Sequence, residues 1–239
     1  MLERVYPLTA PDGARITVIR SANAGTGSRK AAILCHGLTG NPAEHIHQTA
    51  RDALLAAGYD VIRFAFYDDM PNARNIRDCK LLHHVMDFHA VLDSLNGYDK
   101  ICVAGHSYGG LAILYAQPNV TAISFWDPAF VPSWHKVAKH VPELDCYSVN
   151  WNGYTRLLGR PIYEEACGIT EAITAPLAAA IIAPSQVILS ADDHGRERLY
   201  DALTVPKEMH RVEGADHSFV RGDTAKVLAR HTVAWFERF

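Results

Sequence analysis

The sequence predicts an α/β fold, a mostly parallel central sheet with helices on both faces. Three observations predict it. Short, nearly continuous apolar runs recur along the chain, as in strands buried on both faces. Helix-period patterns separate them, and such alternation builds a parallel sheet through right-handed crossovers. At 239 residues, 49% hydrophobic and 21% charged, the chain has apolar material for one sizeable core.

Residues 5–8 and 15–20 (RITVIR) flank a Pro-Asp-Gly turn, and the second segment alternates at period two, so the pair predicts an edge hairpin. The stretch 25–30 superficially suggests a phosphate loop but lacks the G-x-x-x-x-G-K-[ST] spacing and precedes a strand, so it reads as a turn. Buried strands are expected at 31–35 (AAILC), 61–66 (VIRFAF), 101–104 (ICVA), 120–125 (VTAISF) and 187–189 (VIL), with a further strand-like segment at 208–212. Gly58 suits a helix stop after Leu54 and Ala57. Leu81, Val85, Phe88, Leu92 and Leu95 form one apolar stripe on a helix expected from about residue 75 to 95. Ala225, Leu228, Trp235 and Phe239 fit a C-terminal helix packed on the sheet.

The rhythm breaks at 128–184, which gathers Trp134, Tyr147, Trp151, Tyr154 and Tyr163 with prolines and glycines. The segment is too short for an independent core and reads as an insertion over one end of the sheet, either packing its aromatic residues into its own core or lining a pocket with them. The organisation expected is a core of 1–127 and 185–239 with a cap at 128–184. The most apolar stretch, 175–184, is bounded by prolines and far short of the roughly 20 residues that span a bilayer.

Composition excludes several classes. With 23 basic and 26 acidic residues the net charge is −3, which gives no reason to expect nucleic acid or an anionic membrane as partner. The five cysteines show no C-x-x-C pair, against a disulfide framework or structural zinc, and no apolar segment typical of a signal peptide opens the chain. A cytoplasmic location is expected. Thirteen histidines stand out. His83 with Asp87, or His45 with His47, could share a metal, yet neither has zinc-site spacing, so no metal or cofactor is expected. His36 and His106, beside the glycine-rich segments, are expected to serve in structural hydrogen bonds.

Gly105-His106-Ser107-Tyr108-Gly109 matches G-x-S-x-G. Chance gives this match in a chain of such length roughly 8% of the time, so context decides. The motif follows a strand and opens a helix-compatible run at 111–116, which sets Ser107 on the sharp turn that a nucleophile elbow requires. A serine hydroxyl needs a histidine base, and the base needs a carboxylate to fix its tautomer. His217, in a loop between the last strand-like segment and the final helix, is the expected base. For the acid, the strand at 187–189 runs into Ser190-Ala191-Asp192-Asp193, and Asp193 is the first choice. Asp192 and Asp127 remain alternatives, and Asp216 reads as a turn-forming or solvated residue. The oxyanion needs two N–H donors: Tyr108, after the nucleophile, and Leu38, in the His36-Gly37-Leu38-Thr39-Gly40 loop.

Together HGLTGN, GHSYGG, SADD and EGADHSF, in this order, resemble the α/β-hydrolase superfamily over nearly the whole chain. With RPIYEEA and VEGADHSF the resemblance is greatest to the intracellular cinnamoyl and feruloyl esterases, with the monoacylglycerol-lipase and serine-aminopeptidase-like group as broader kin. It implies Ser107 as nucleophile, Asp193 as acid, His217 as base, Leu38 and Tyr108 as oxyanion donors, and a cap that shapes an acyl pocket. The sequence departs from the family at 67–72, where a Gly-His-Gly-rich loop is usual, and at Ser190, which replaces a glycine. The expected function is a serine carboxylesterase acting on small or aromatic, cinnamoyl-like or feruloyl-like acyl esters. A thioesterase or amidase with the same triad, or a non-catalytic receptor, is the alternative. The expected partner is a small-molecule ester, and a homodimer is left open.

Overall fold

The computed structural model describes residues 1–24, 27–151, 153–191 and 195–239. Residues 25 and 26 of the expected turn at 25–30 lie outside these. In chain order the first half comprises β1 (Leu2–Thr9), β2 (Arg15–Ala22), β3 (Lys30–Cys35), α1 (His45–Ala56), β4 (Asp60–Phe64), α2 (Leu81–Asp93), β5 (Lys100–His106), α3 (Tyr108–Ala116) and β6 (Ala122–Trp126). After these come β7 (Lys139–Val141), β8 (Cys146–Trp151), β9 (Tyr154–Gly159), α4 (Arg160–Gly168) and α5 (Glu171–Ala180). The chain finishes with β10 (Ser185–Leu189), α6 (Glu197–Ala202), β11 (Lys207–Arg211) and α7 (Thr224–Phe236).

Among the described residues eight strands form the main sheet, in the order β1-β2-β4-β3-β5-β6-β10-β11. The β1–β2 hairpin is antiparallel and joins antiparallel to β4, and every later pairing is parallel. Period-two alternation explains the continuous apolar runs, because each strand feeds two cores. Ile33, Val103, Ile123 and Val187 face one layer, with Phe88 of α2 and Ile113 of α3. Leu34, Ala104, Trp126 and Ile188 face the other, with Leu54 of α1 and Leu228 of α7.

The helix expected from about residue 75 begins at Leu81. Asn75 folds the preceding segment into a turn, its side chain accepting from the Arg77 N–H at 2.9 Å and its carbonyl from Asp78 and Cys79. The first free N–H of α2, on Leu81, donates to the Glu165 carboxylate of α4. A helix start leaves such donors unsatisfied, and a carboxylate there also complements the helix dipole.

Residues 128–184 hold a separate three-stranded antiparallel sheet, β7-β8-β9, with α4 and α5. The segment is tied to the turn before α2. Arg77 donates to the Leu144 carbonyl at 2.6 Å, and Gly159 lies so close to the Arg77 backbone that a Cβ there would sit 1.6 Å from its carbonyl oxygen. The apolar stretch at 175–184 divides between the end of α5 and the entry to β10, and no described helix is long and apolar enough to cross a membrane.

Candidate active site

The carboxyl ends of β5 and β6 and the segments after β3, β10 and β11 meet around Ser107. Ser107 has φ 52° and ψ −116°, a left-handed conformation for a residue with a side chain, between β5 and α3. Holding it costs on the order of 1–3 kcal/mol, which the surroundings supply. The Ser107 N–H donates to the Trp126 carbonyl at 2.9 Å, and its carbonyl accepts from Ala129 at 3.0 Å. The flanking glycines are sterically required: a Cβ on Gly105 would lie 2.7 Å from the Gly109 carbonyl carbon, and one on Gly109 would lie 2.4 Å from the Cys35 carbonyl oxygen.

His217 occupies the loop after β11. Asp216 forms the turn that carries it, accepting from the Phe219 N–H through its carbonyl and from the Val220 N–H through its side chain, each at 3.0 Å. Buried His106 donates from Nε2 to the His217 carbonyl at 2.8 Å, which fixes the backbone of that loop. The His217 imidazole bridges two groups. Its Nδ1 lies 2.5 Å from Asp127 Oδ2 and its Nε2 lies 3.0 Å from Ser107 Oγ. A carboxylate can only accept, so Nδ1 carries the proton and Nε2 is left to accept from the serine hydroxyl.

Among the described residues the carboxylate that meets His217 is Asp127. The His217 Nδ1 proton, expected to face Asp193, is received by Asp127, at φ 41° immediately after β6. Asp192 and Asp193 lie outside the described residues. Asp127 is fully buried. Its N–H donates to the Ile188 carbonyl at 2.7 Å, its Oδ1 accepts from the Ser190 N–H at 3.1 Å, and its Oδ2 accepts from the Ser190 hydroxyl at 3.0 Å. Arg196 Nη1 stands 3.0 Å from the same Oδ2. Burial pushes the carboxyl up, but the His217 hydrogen bond, the charges of His217 and Arg196 and the Ser190 N–H together hold it below the usual carboxylate range. Ser190 and Arg196 were not legible as site residues. The one signal was Ser190 itself, standing where the resemblance expects glycine.

The loop after β3 closes on the nucleophile. Gly37 is so near Ser107 that a Cβ on it would lie 3.2 Å from the serine Cβ, and Gly40 N–H donates to the Gly37 carbonyl at 3.0 Å across a turn with Thr39 at φ 61°. His36 fixes this loop, donating from Nδ1 to the Gly37 carbonyl at 2.8 Å and accepting the Phe66 N–H on Nε2 at 3.0 Å. No described acceptor engages the N–H of Leu38 or of Tyr108. Burial pushes His36 down to about 4 and His106 to about 3, so both rings are neutral hydrogen-bonding groups at neutral pH.

Three of the four residues weighed as metal ligands have other engagements. Asp87 pairs with Arg74 at 2.8 Å, His83 Nδ1 accepts the Lys80 N–H at 3.2 Å, and His47 is buried against the Trp126 ring. Among the described residues no three His, Cys, Asp or Glu side chains are grouped to hold a metal. The aromatic residues of 128–184 pack on one another: Tyr147 stacks on Tyr163 at 3.5 Å, and Trp134 meets Trp151 and Tyr163 edge-on. Tyr154 is exposed.

No family model matches this sequence, and no curated protein matches it. Solved structures do. The esterase domain of a Rhodothermus marinus protein is 19% identical, with a TM-score of 0.77 over 100% of this chain and 99% of its own. Est1E from Butyrivibrio proteoclasticus is 17% identical, with a TM-score of 0.76 over 98% and 99%, and is also solved with ferulic acid bound. Mouse alpha/beta hydrolase domain-containing protein 10 is 15% identical, with a TM-score of 0.75 over 98% and 99%. At these identities the likeness is one of architecture, and with the strand order above it shows that the chain has the α/β-hydrolase fold.

Proposed function

We propose that the chain is a serine hydrolase that cleaves carboxylic esters through an acyl-enzyme. The observation that carries this reading is the unbroken relay from Ser107 Oγ through the His217 imidazole to Asp127, with contacts of 3.0 and 2.5 Å. Ser107 Oγ attacks the ester carbonyl carbon as its proton passes to His217 Nε2, and the imidazolium is balanced by Asp127. The carbonyl oxygen takes the negative charge and receives the N–H groups of Leu38 and Tyr108, the kind of preorganised stabilisation whose loss costs about 10²–10³ in rate per donor. Collapse expels the alcohol with the His217 proton and leaves the acyl group on Ser107. Water, deprotonated by His217, then attacks the acyl carbonyl and releases the acid.

Small or aromatic acyl groups, cinnamoyl or feruloyl in type, are the proposed substrates, and 128–184 the cap that selects them. Support comes from the aromatic cluster of that segment and from the ferulic acid complex of Est1E. A cytoplasmic location fits the cysteine usage. The test is a panel of matched ester, thioester and amide substrates, run on the wild type and on Ser107→Ala. Esters are expected to turn over fastest, with the variant near background. Preferred cleavage of thioesters or amides would change the bond assigned, and a folded wild type inert on all three would replace the enzyme with a binding protein.

A further inference from the structure

Asp127 Oδ2 carries more than the relay requires. It meets His217 Nδ1 at 2.5 Å, the Ser190 hydroxyl at 3.0 Å and Arg196 Nη1 at 3.0 Å. The last two come from one connection, the segment between β10 and α6, where the resemblance placed the acid itself. In this chain the acid stands at the end of β6, and the β10–α6 connection approaches it with a hydroxyl and a guanidinium. The hydroxyl can hold the carboxylate. A full cation has a further consequence, because the guanidinium stays charged at every pH the protein meets.

Resting on the hydrolase reading of the site, we propose that Arg196 is a positioning residue that sets the working pH. Its charge on Asp127 keeps the Asp127–His217 pair free of an added proton to a lower pH than the pair alone would allow. Without a nearby cation, a buried aspartate attracts a proton to itself or to the imidazole facing it, and a protonated pair cannot accept the Ser107 proton. Among the described residues the other groups at the pair add no comparable charge. His106 faces it as a neutral ring whose Nε2–H is spent on the His217 carbonyl, and Ser107 and Ser190 contribute hydroxyls. Arg196 is largely covered, with its side chain 19% exposed, so solvent screens its charge only in part. As the two residues titrate together, the acid limb of the rate profile belongs to the pair.

The experiment compares Arg196→Gln and Arg196→Met, which remove the charge, with Arg196→Lys, which keeps it. Two readouts are taken on each folded variant: the pH dependence of kcat/KM on an ester, and the NMR titration of the His217 ring without substrate. For the neutral variants the acid limb and the ring titration should both move to higher pH by about one unit, a tenfold loss of activity at a pH below the limb. The lysine variant should keep both within a few tenths of a unit of the wild type. Neutral variants that lose plateau activity while limb and titration stay in place would make Arg196 a packing group and overturn the inference. A wild type without turnover whose ring titration still moves on charge removal would leave the inference standing and defeat the hydrolase reading instead.

Discussion

Asp127→Asn separates the charge of the acid from its shape. In the structure Oδ2 faces donors from His217 and Ser190 and the Arg196 guanidinium charge, whereas among the described residues Oδ1 faces the Ser190 N–H. The asparagine amide therefore turns its oxygen toward the crowded position and its NH₂ toward Ser190. His217 Nδ1 keeps an acceptor, and what is lost is the negative charge balancing the imidazolium. At an effective dielectric of 20 two unit charges about 4 Å apart interact by roughly 4 kcal/mol, which corresponds to about 10³ in kcat. If the amide settles the other way, the imidazole is held in the wrong tautomer and the fall approaches the 10⁴ known for this substitution in a serine protease triad. KM should change little. The assay is kcat/KM on one ester at plateau pH, with folding verified by circular dichroism, for Asp127→Asn beside Asp192→Asn and Asp193→Asn. An Asp193 variant that loses more than about a hundredfold, with Asp127→Asn within a few-fold of wild type, would refute Asp127 as the acid.

Two further predictions concern the scaffold. Gly109→Ala places a Cβ 2.4 Å from the Cys35 carbonyl oxygen, so β3 and α3 must part, at a cost of about 3 kcal/mol or more in urea unfolding and with activity lost alongside. Wild-type stability at Gly109→Ala would contradict the elbow geometry. Acid should destabilise the protein through its buried histidines. His36 and His106 are pushed down to about 4 and about 3 by burial, and His47 and His84 are lowered well below the ordinary value for the same reason. The unfolded chain takes up these protons first, so stability is full above about pH 6.5 and falls below it by about 1.4 kcal/mol per unit for each such histidine. Glu44 and Asp87, raised to about 6 by burial, oppose this because the folded state holds their protons more tightly. The net expectation near pH 5 is uptake of about two protons on unfolding, or about 3 kcal/mol lost per unit, read from urea melts between pH 7 and 5. Stability that is flat or rising over that range would contradict the neutral buried rings.

The meeting of Ser107 with His217 was legible because the signals of both residues are local. The glycines around Ser107 are dictated by the turn that bears it, and His217 sits in the loop between a strand and the final helix. The loop after β3 follows from the same local logic, since Gly37 lies against Ser107. The carboxylate that meets His217 was not fixed locally. Strands β6 and β10 are neighbours in the sheet and each is followed in sequence by aspartate, so which one reaches the imidazole depends on how two loops meet, and sequence spacing carries no record of that. Ser190 and Arg196 belong to the same meeting. The hidden elements have a similar cause: β9 is exposed from Tyr154 to Leu157 and so lacks the apolar alternation that marks a strand, and α2 starts where Glu165 of a distant helix supplies the acceptor. The β1–β2 hairpin, the buried strands and α7 were legible because burial on the sheet writes itself into their periodicity.

The central claim is that Ser107 becomes acylated. Intact-protein mass spectrometry after rapid quench with an activated aromatic ester, such as the p-nitrophenyl ester of a cinnamic acid, tests it most directly. The wild type should gain the mass of one acyl group, mapped to the peptide carrying Ser107 and discharged by water with time, while Ser107→Ala gains none. An adduct on another residue, or equal labelling of the folded Ser107→Ala protein, would contradict it.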